Sequence, residues 1–265
     1  MKQIVVALAL LLSPTLAAAD CFIVKEGAKT LVQEGECAAR YSPCSTFKIP
    51  LALMGFDAGI LVDENNPTWD FKEEYKENLP VMLDFWNRPY APASWMKNSA
   101  VWYSQVLTQE LGSARFKAYV EKFRYGNRDL SGDREKNNGL TRAWLSSSLK
   151  ISPIEQVAFL DTLLRWDLPV SGEAMGQTKA LLKAEMLEDG WQLYGKTGSG
   201  NLLNADGSRN EAREIGWFIG WIEKDGRKVR FAQFIKDSEK QEVMAGKRAR
   251  VAAIESLNRV IAGLR

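Results

Sequence analysis

Histidine is missing from this chain: none of its 265 residues is a histidine. A Ser-His-Asp triad is therefore excluded, and so is a zinc ion held by imidazole nitrogens. Cysteine is scarce as well, with three residues and no Cys-x-x-Cys spacing, so the sequence predicts no metal site. A serine nucleophile in this chain would need a base other than imidazole, and lysine is the obvious candidate.

Neither sign of charge dominates, because 35 Lys and Arg residues stand against 33 Asp and Glu residues. The basic residues are scattered except in Lys247-Arg248-Ala249-Arg250, and a short tract of this kind is usually a solvated helix end. The sequence therefore predicts no nucleic-acid partner. Repeats and low-complexity segments are also absent, which indicates one substantial core or two lobes that share a cleft.

Long apolar runs are absent except for one near the start. Residues Ile4–Leu12 are apolar, Lys2 precedes them, and Ala17-Ala18-Ala19 stands before Asp20 as a small-residue cleavage site. The apolar run is too short to cross a bilayer as a permanent helix. The pattern predicts a signal peptide over residues 1–19, cleavage near Ala19/Asp20, export to the periplasm and no membrane partner after cleavage.

The cysteines fall close together, at Cys21, Cys37 and Cys44. Export to an oxidising compartment favours one disulfide and leaves one thiol over. Cys21 opens a predicted strand and Cys37 follows the predicted hairpin partner of that strand, so Cys21–Cys37 is the first choice. The alternative pairing, Cys37–Cys44, would close the loop directly before Ser45, and an odd number of cysteines does not decide between the two.

Strand patterns occur towards both ends of the chain, and helical patterns lie between them. Four strand-like segments form two predicted hairpins: Cys21–Val24 with Thr30–Gln33, and Gly216–Ile222 with Val229–Ile235. Helical spacing of apolar residues is found in Val101–Leu111, Phe116–Phe123, Ile154–Leu164 and Val251–Ile261. This order predicts a terminal α/β lobe, a helical lobe inserted at roughly residues 60–170, and a cleft between the two lobes.

The spacing Ser-x-x-Lys places a hydroxyl and an amine one helical turn apart on one face, and it occurs at Ser45/Lys48, Ser94/Lys97 and Ser147/Lys150. Context favours the first pair. Pro43 precedes Ser45, an apolar run follows it, and Pro50 is acceptable only in the first turn of a helix, so a helix begins near Ser45. The backbone N–H groups at such a helix start favour a developing anion. Ser94 and Ser147 are explained more simply as helix caps or surface serines.

Further motifs follow Ser45-Thr46-Phe47-Lys48 in a fixed order. They are Ser99-Ala100-Val101, Tyr125-Gly126-Asn127, Ala143-Trp144-Leu145 and Tyr194-Gly195-Lys196-Thr197-Gly198. Together they resemble the class D serine β-lactamases, the oxacillinases, over essentially the whole chain after residue 19. The resemblance implies a single catalytic domain over residues 20–265 with an α/β fold of the α+β type. In this penicillin-recognising serine enzyme fold, an antiparallel sheet is flanked by terminal helices and carries an inserted helical lobe.

The resemblance also implies a reaction, namely hydrolysis of the β-lactam ring of penicillin-type antibiotics through an acyl-enzyme, which gives antibiotic resistance. Ser45 would be the nucleophile, Lys48 the general base after its amine has reacted with carbon dioxide, and Ser99 a proton shuttle. No bound cofactor is implied apart from carbon dioxide or bicarbonate. Trp144 would donate its indole N–H to the resulting carbamate.

The remaining implied roles concern binding and support. The substrate would be held by the following residues: Lys196, Thr197, Gly198, Ser199 and Arg248. Lys247 and Arg250 stay open as alternatives to Arg248. The backbone N–H groups of Ser45 and Ser199 would form the oxyanion hole. Phe47 and Val101 would line the lysine pocket, and Tyr125 and Asn127 would support the cleft.

Two other functions share these motifs. One is a β-lactam sensor domain that is acylated and stays acylated, and the other is a penicillin-binding transpeptidase or carboxypeptidase. The Trp144 motif favours the lactamase. Cys44, directly before the nucleophile, departs from the usual family pattern; it could be an inert buried residue, half of a disulfide, or a redox-sensitive brake. The preferred β-lactam class and the oligomeric state are not predicted.

Overall fold

A computed structural model describes residues 21–264, and the predicted signal peptide lies outside the described residues. Its centre is one antiparallel sheet of six strands in the order β2-β1-β6-β5-β4-β3. The strands are β1 Cys21–Glu26, β2 Lys29–Gly35, β3 Lys183–Met186, β4 Gln192–Leu203, β5 Arg209–Lys224 and β6 Arg227–Lys236. Both predicted hairpins are present, and β1 joins the two ends of the chain by pairing with β6.

The β5–β6 hairpin shows why the sequence folds in this way. Its turn residues Asp225 and Gly226 both have positive φ, 50° and 78°, which matches the twist of the strands that they connect. Side chains then alternate between the two faces of the sheet along β5. Phe218 packs on one face with the C-terminal helix, whereas Trp217 and Ile219 pack on the other face with the remaining helices.

Seven α-helices cover the sheet or build the helical part within residues 21–264. They are α1 Lys48–Asp57, α2 Pro92–Asn98, α3 Val101–Lys122, α4 Gly139–Arg142, α5 Pro153–Leu164, α6 Gly172–Leu181 and α7 Ala245–Ala262. Short 3-10 helices occur at Cys44–Phe47, Glu73–Asn78, Asp84–Trp86 and Glu188–Gly190. The fold is the predicted antiparallel sheet with helices. Of the two flanking helices, α7 is terminal, while the opposite face is covered by α5 from the interior of the chain.

The helix ends follow from local chemistry. Ser152 caps α5 by accepting a hydrogen bond from the N–H of Glu155, whose carboxylate accepts from the Ser152 N–H in return, and Pro153 occupies the first helical position. The two helical segments predicted within residues 101–123 form one helix, α3, which is interrupted at Gly112 with φ of 73° and ψ of 156°. Only glycine adopts such a conformation easily, so the break is encoded locally.

Lys196-Thr197-Gly198 lies within strand β4, which the strand patterns did not indicate, and it pairs with Ile219, Phe218 and Trp217 of β5. Close packing explains the glycine of this motif. A Cβ atom at Gly198 would lie 2.9 Å from the Pro43 carbonyl oxygen, so the glycine lets β4 approach the loop before Ser45. Within residues 21–264, no helix is long and apolar enough to cross a membrane.

Candidate active site

Ser45 lies in the 3-10 turn that leads directly into α1. The turn is fixed at both sides: the N–H of Cys44 donates to the Trp144 carbonyl oxygen at 3.0 Å, and the Thr46 hydroxyl donates to the Pro43 carbonyl oxygen at 2.7 Å. Cys44 has a positive φ of 51°, which is uncommon for a non-glycine residue. The hydroxyl of Ser45 is thereby held at the start of the helix, on a cavity wall.

Lys48 is fully buried, at 0% exposure, and its Nζ lies 3.5 Å from Ser45 Oγ. Burial lowers the pKa of Lys48 well below its usual value because the charged amine loses its hydration, and the positive charge of nearby Lys196 lowers it further. This shift favours the uncharged amine over the ammonium form. A neutral amine beside a serine hydroxyl can accept a proton or react with an electrophile, which an ammonium cannot do.

A second lysine connects the sheet to the helical part. Lys196 Nζ, on β4, donates to Ser99 Oγ at 2.9 Å and to the Thr197 carbonyl oxygen at 2.9 Å. Burial lowers the pKa of Lys196 to about 7. Ser99 ends α2 in the left-handed conformation, with φ of 60°, and its hydroxyl is the acceptor for that amine. Proton exchange between these two groups is therefore feasible near neutral pH.

Trp144 is buried beside the nucleophile's helix, where its ring stacks on Phe47 with a centroid distance of 5.5 Å. Its indole N–H is buried and has no hydrogen-bond partner among the described residues. Leaving such a donor unpaired costs about 1–3 kcal/mol, so the site has capacity for an acceptor that is absent from the chain itself. A carbamate on the buried Lys48 amine fits that requirement, since it would bring anionic oxygen acceptors into an apolar pocket.

Ser45, Ser99, Thr197, Gly198 and Ser199 share one cavity of about 230 Å³. Its other walls include Lys97 and Lys247, both named from the sequence, and six residues that no motif indicated: Val81, Leu83, Phe85, Trp86, Asn98 and Met244. Several of these are apolar and exposed, including Phe85 at 47% and Met244 at 40%. The nucleophile therefore lines a pocket whose walls carry exposed apolar side chains and two lysines.

Sequence and structure comparisons agree on one family. The family model described as penicillin binding protein transpeptidase domain matches residues 23–256. The β-lactamase OXA-9 of Klebsiella pneumoniae is 47% identical over 232 residues, which cover 87% of this chain and 84% of that protein. The β-lactamase OXA-1 of Escherichia coli is 39% identical over 226 residues, which cover 85% and 77%. The crystal structure of the class D β-lactamase OXA-427 superimposes with a TM-score of 0.86 at 44% identity, over 92% of this chain and 99% of that one.

The chain is a class D β-lactamase. Its family hydrolyses β-lactams with a serine, in agreement with the resemblance found in the motifs. In the described residues of this β-lactamase, no group of three or more Cys, Asp or Glu side chains could hold a metal ion.

Tyr125 and Asn127 of this β-lactamase support the cleft without lining the cavity around Ser45. The Tyr125 hydroxyl donates to Gln156 Oε1 at 3.2 Å, and Gln156 Nε2 donates to Thr46 Oγ1 at 3.0 Å. Asn127 donates from Nδ2 to a carbonyl oxygen and accepts an N–H from Lys150. Burial raises the pKa of Tyr125 far above its usual range, so the phenol stays protonated.

Arg248 does not line the cavity. Its guanidinium is paired with Asp237 and donates from Nε to the Val243 carbonyl oxygen at 2.8 Å. Lys247, one of the two alternatives, lines the cavity with an exposed ammonium. The third cation, Arg250, is paired with Glu185. Adjacent helix positions point about 100° apart, which explains why the tract alone could not identify the cation that faces the cavity.

Phe47 and Val101 belong to the buried core around the site and not to the wall of the cavity. Phe47 is fully buried and meets the ring of Tyr125 edge-on at 5.3 Å, while Val101 begins α3 with only 4% exposure. Lys48 is itself fully buried, and its own burial is the physical cause of the lowered lysine pKa.

Cys21 and Cys37 form a disulfide, the first of the two pairings considered from the sequence, and Cys44 is a free thiol. The Cys44 thiol is fully buried, donates to the Ser42 carbonyl oxygen at 3.6 Å, and has its pKa raised to about 11 by burial. A buried, protonated thiol is a poor nucleophile and a poor redox sensor. Of the three roles considered for Cys44, the inert buried residue agrees best with this environment.

Ser42 is a positioning residue that sequence reasoning missed. Its hydroxyl donates to the Trp144 carbonyl oxygen at 2.7 Å and accepts the N–H of Ser146 at 2.9 Å, while its own carbonyl oxygen accepts from Trp217 Nε1. These bonds connect the loop before the nucleophile to the Trp144 segment and to β5. A serine three residues before the nucleophile carries no motif signal, so only the fold reveals this connection.

Proposed function

We propose that this β-lactamase opens its substrate by attack of Ser45 Oγ on the lactam carbonyl carbon, and that water hydrolyses the resulting ester. Lys48 would be the base-bearing residue in both halves of the reaction. The observation that carries the proposal is the fully buried Lys48 amine 3.5 Å from the serine hydroxyl. An ammonium would be a poor base at neutral pH, and burial shifts Lys48 towards the uncharged amine.

Lys48 would react with carbon dioxide in its uncharged form, the form that burial favours. When bound, carbon dioxide supplies a carboxylate-like base on the lysine. The buried N–H of Trp144 and the apolar ring of Phe47 would hold this group. The support for this assignment is the unpaired indole N–H, which is otherwise a cost to the folded protein.

Ser99 and Lys196 would deliver a proton to the lactam nitrogen as the ring opens. Their 2.9 Å hydrogen bond and the lowered pKa of Lys196, at about 7, support proton exchange between them. The lactam oxygen would be stabilised by the backbone N–H groups of Ser45 and Ser199, two residues that line the same cavity. A donor of this kind contributes on the order of 3 kcal/mol to the transition state.

The substrate carboxylate would be held by Thr197, Lys196 and a cation from the start of α7. Lys247 lines the cavity and Arg248 is already paired with Asp237, so Lys247 is the better candidate. We expect Lys247→Ala to raise KM for penicillins several-fold and Arg248→Ala to lower the midpoint of thermal unfolding with a smaller effect on KM. A larger rise in KM for Arg248→Ala than for Lys247→Ala would instead assign the binding of the substrate carboxylate to Arg248.

The decisive experiment measures turnover of benzylpenicillin by the wild type, Ser45→Ala and Lys48→Ala, with and without added bicarbonate. We expect steady-state hydrolysis in the wild type and loss of at least about a thousandfold in either variant. One equivalent of stable acylation without turnover in the wild type would instead favour the sensor function. Transfer of the acyl group to an amine acceptor in preference to water would favour the transpeptidase.

The location of the reaction is a further part of the proposal. Residues 1–19 would direct the chain to the periplasm, where hydrolysis would protect the cell wall enzymes of the host and so confer resistance. Fractionation of cells that express the full chain tests this, with the N-terminal residue of the periplasmic protein expected near Asp20. Retention of activity in the cytoplasmic fraction would contradict it.

A further inference from the structure

The cavity around Ser45 carries more positive charge than a substrate with one carboxylate needs. Lys97, from α2, and Lys247, from α7, both line it, and the buried Lys196 lies beneath it. Among the described residues that line the cavity, none is an Asp or a Glu. Within residues 21–264, no ion pair involves Lys97 or Lys247.

The two exposed lysines reach the cavity from different parts of the fold. Lys247 follows Gly246, whose N–H donates to Ser199 Oγ at 2.9 Å, so Lys247 belongs to the β4 side, where the substrate carboxylate is expected. Lys97 belongs to the helical side, two positions before Ser99. Lys247 therefore suffices for the carboxylate that all penicillins carry, and Lys97 is left without an assigned anion.

Lys97 stands beside the apolar wall of the cavity. The Trp86 indole N–H donates to the Asn98 carbonyl oxygen at 3.1 Å, which fixes the Leu83–Trp86 segment against the end of α2. The ring of Phe85 is 47% exposed on that segment and is available to an aromatic group of a ligand. An aryl group on this wall would have a cation within reach, and a carboxylate attached close to the aryl group would meet it.

We propose that Lys97 is a specificity residue that binds a second anionic group on the acyl side chain of the substrate, so that this enzyme accepts dianionic penicillins through a contact that monoanionic ones do not make. The inference rests on the proposed function of the Ser45 site. Because Lys97 is exposed, its contribution is modest and is screened by salt.

The test compares kcat/KM for benzylpenicillin and for its α-carboxy derivative, two substrates with the same aryl group that differ by one carboxylate. For Lys97→Ala we expect the ratio of the dianion to the monoanion to fall about three- to fivefold at low ionic strength. Lys97→Glu should lower the ratio further, by about tenfold or more, and Lys97→Arg should restore it. Lys117→Ala, which removes an exposed lysine from the outer face of α3, is the matched control and should leave the ratio unchanged.

Each outcome decides the question. A selective loss for the dianion that shrinks as sodium chloride is added supports the proposal. An equal loss of kcat/KM for both penicillins would mean that Lys97 serves the carboxylate that all penicillins carry. No loss for either penicillin would mean that Lys97 serves neither carboxylate. Both results overturn the inference, while turnover of benzylpenicillin by the wild type leaves the proposed function intact. Absence of wild-type turnover with either penicillin would overturn the proposed function and the inference together.

Discussion

Replacing Trp144 by Phe tests separately how the unpaired indole N–H affects stability and how it affects activity. The substitution removes the indole N–H and keeps an aromatic ring against Phe47, whose centroid lies 5.5 Å from that of Trp144. In the absence of carbon dioxide, the indole N–H that the substitution removes has no hydrogen-bond acceptor in the described part of the chain. Its removal relieves a penalty of about 1–3 kcal/mol, which offsets the loss of indole packing. We therefore expect the free energy of unfolding in bicarbonate-free buffer to change by less than about 2 kcal/mol.

Activity should respond differently. If the indole N–H donates to a carbamate on Lys48, the substitution removes a hydrogen bond to a charged group, worth about 1.5–3 kcal/mol. The equilibrium for carbamate formation then falls about 10- to 100-fold, because each 1.4 kcal/mol corresponds to a factor of ten. Turnover in ambient buffer falls by the same order, and added bicarbonate restores it by mass action.

The assay is initial-rate hydrolysis of benzylpenicillin across a bicarbonate titration, with unfolding by urea measured in parallel. Trp221→Phe is a matched control, since Trp221 is also a buried tryptophan without a partner for its N–H, stacked on Tyr194 at 4.7 Å. That variant should leave the bicarbonate dependence unchanged. The reasoning is refuted if Trp144→Phe loses activity that bicarbonate does not restore, or if Trp221→Phe shows the same bicarbonate dependence.

Three further predictions concern the supports of the site. Burial lowers the pKa of Lys196 from 10.5 to about 7, so above pH 7 the unfolded state binds more protons than the folded state. The free energy of unfolding should therefore rise from pH 7 to 9. In urea titrations, Lys196→Met should reduce that slope by at most about 1.4 kcal/mol per pH unit. A Cβ at Gly246 would lie 2.5 Å from a carbonyl oxygen of β4, so Gly246→Ala should lower kcat/KM at least about tenfold, whereas Gly263→Ala, whose Cβ meets nothing closer than 3.4 Å, should not. Replacing Cys21 and Cys37 by Ser opens a disulfide of sequence separation 16 and should cost about 3 kcal/mol of stability with kcat unchanged; a loss of kcat at a temperature where the variant is folded would contradict that prediction.

Features that depend on neighbours along the chain were predictable from the sequence. The Asp225-Gly226 turn sets the β5–β6 hairpin through its positive φ values, and the Ser-x-x-Lys spacing puts Lys48 one turn from Ser45. The capping box at Ser152 begins α5 where the apolar spacing indicated a helix. In each case the relevant partner lies within about four residues, where the chain geometry leaves few alternatives.

Features that depend on distant segments were not predictable. The cavity wall of Leu83, Phe85 and Trp86 comes from a segment with only one short 3-10 helix, and apolar spacing carries no information there. Lys247 lines the cavity whereas Arg248, one position further along α7, pairs with Asp237, a residue of another segment. The hydrogen bonds of Ser42 span more than a hundred residues of sequence, so they exist only once the sheet and the Trp144 segment have come together.

The central claim is that Lys48 acts as the base of this enzyme in its carbon-dioxide-modified form, and carbon-13 NMR with labelled bicarbonate tests it most directly. In the wild type we predict one carbamate resonance whose intensity rises with bicarbonate in parallel with kcat for benzylpenicillin, and which is absent in Lys48→Ala. A fully active enzyme without that resonance, or a resonance whose intensity does not follow kcat, would contradict the account.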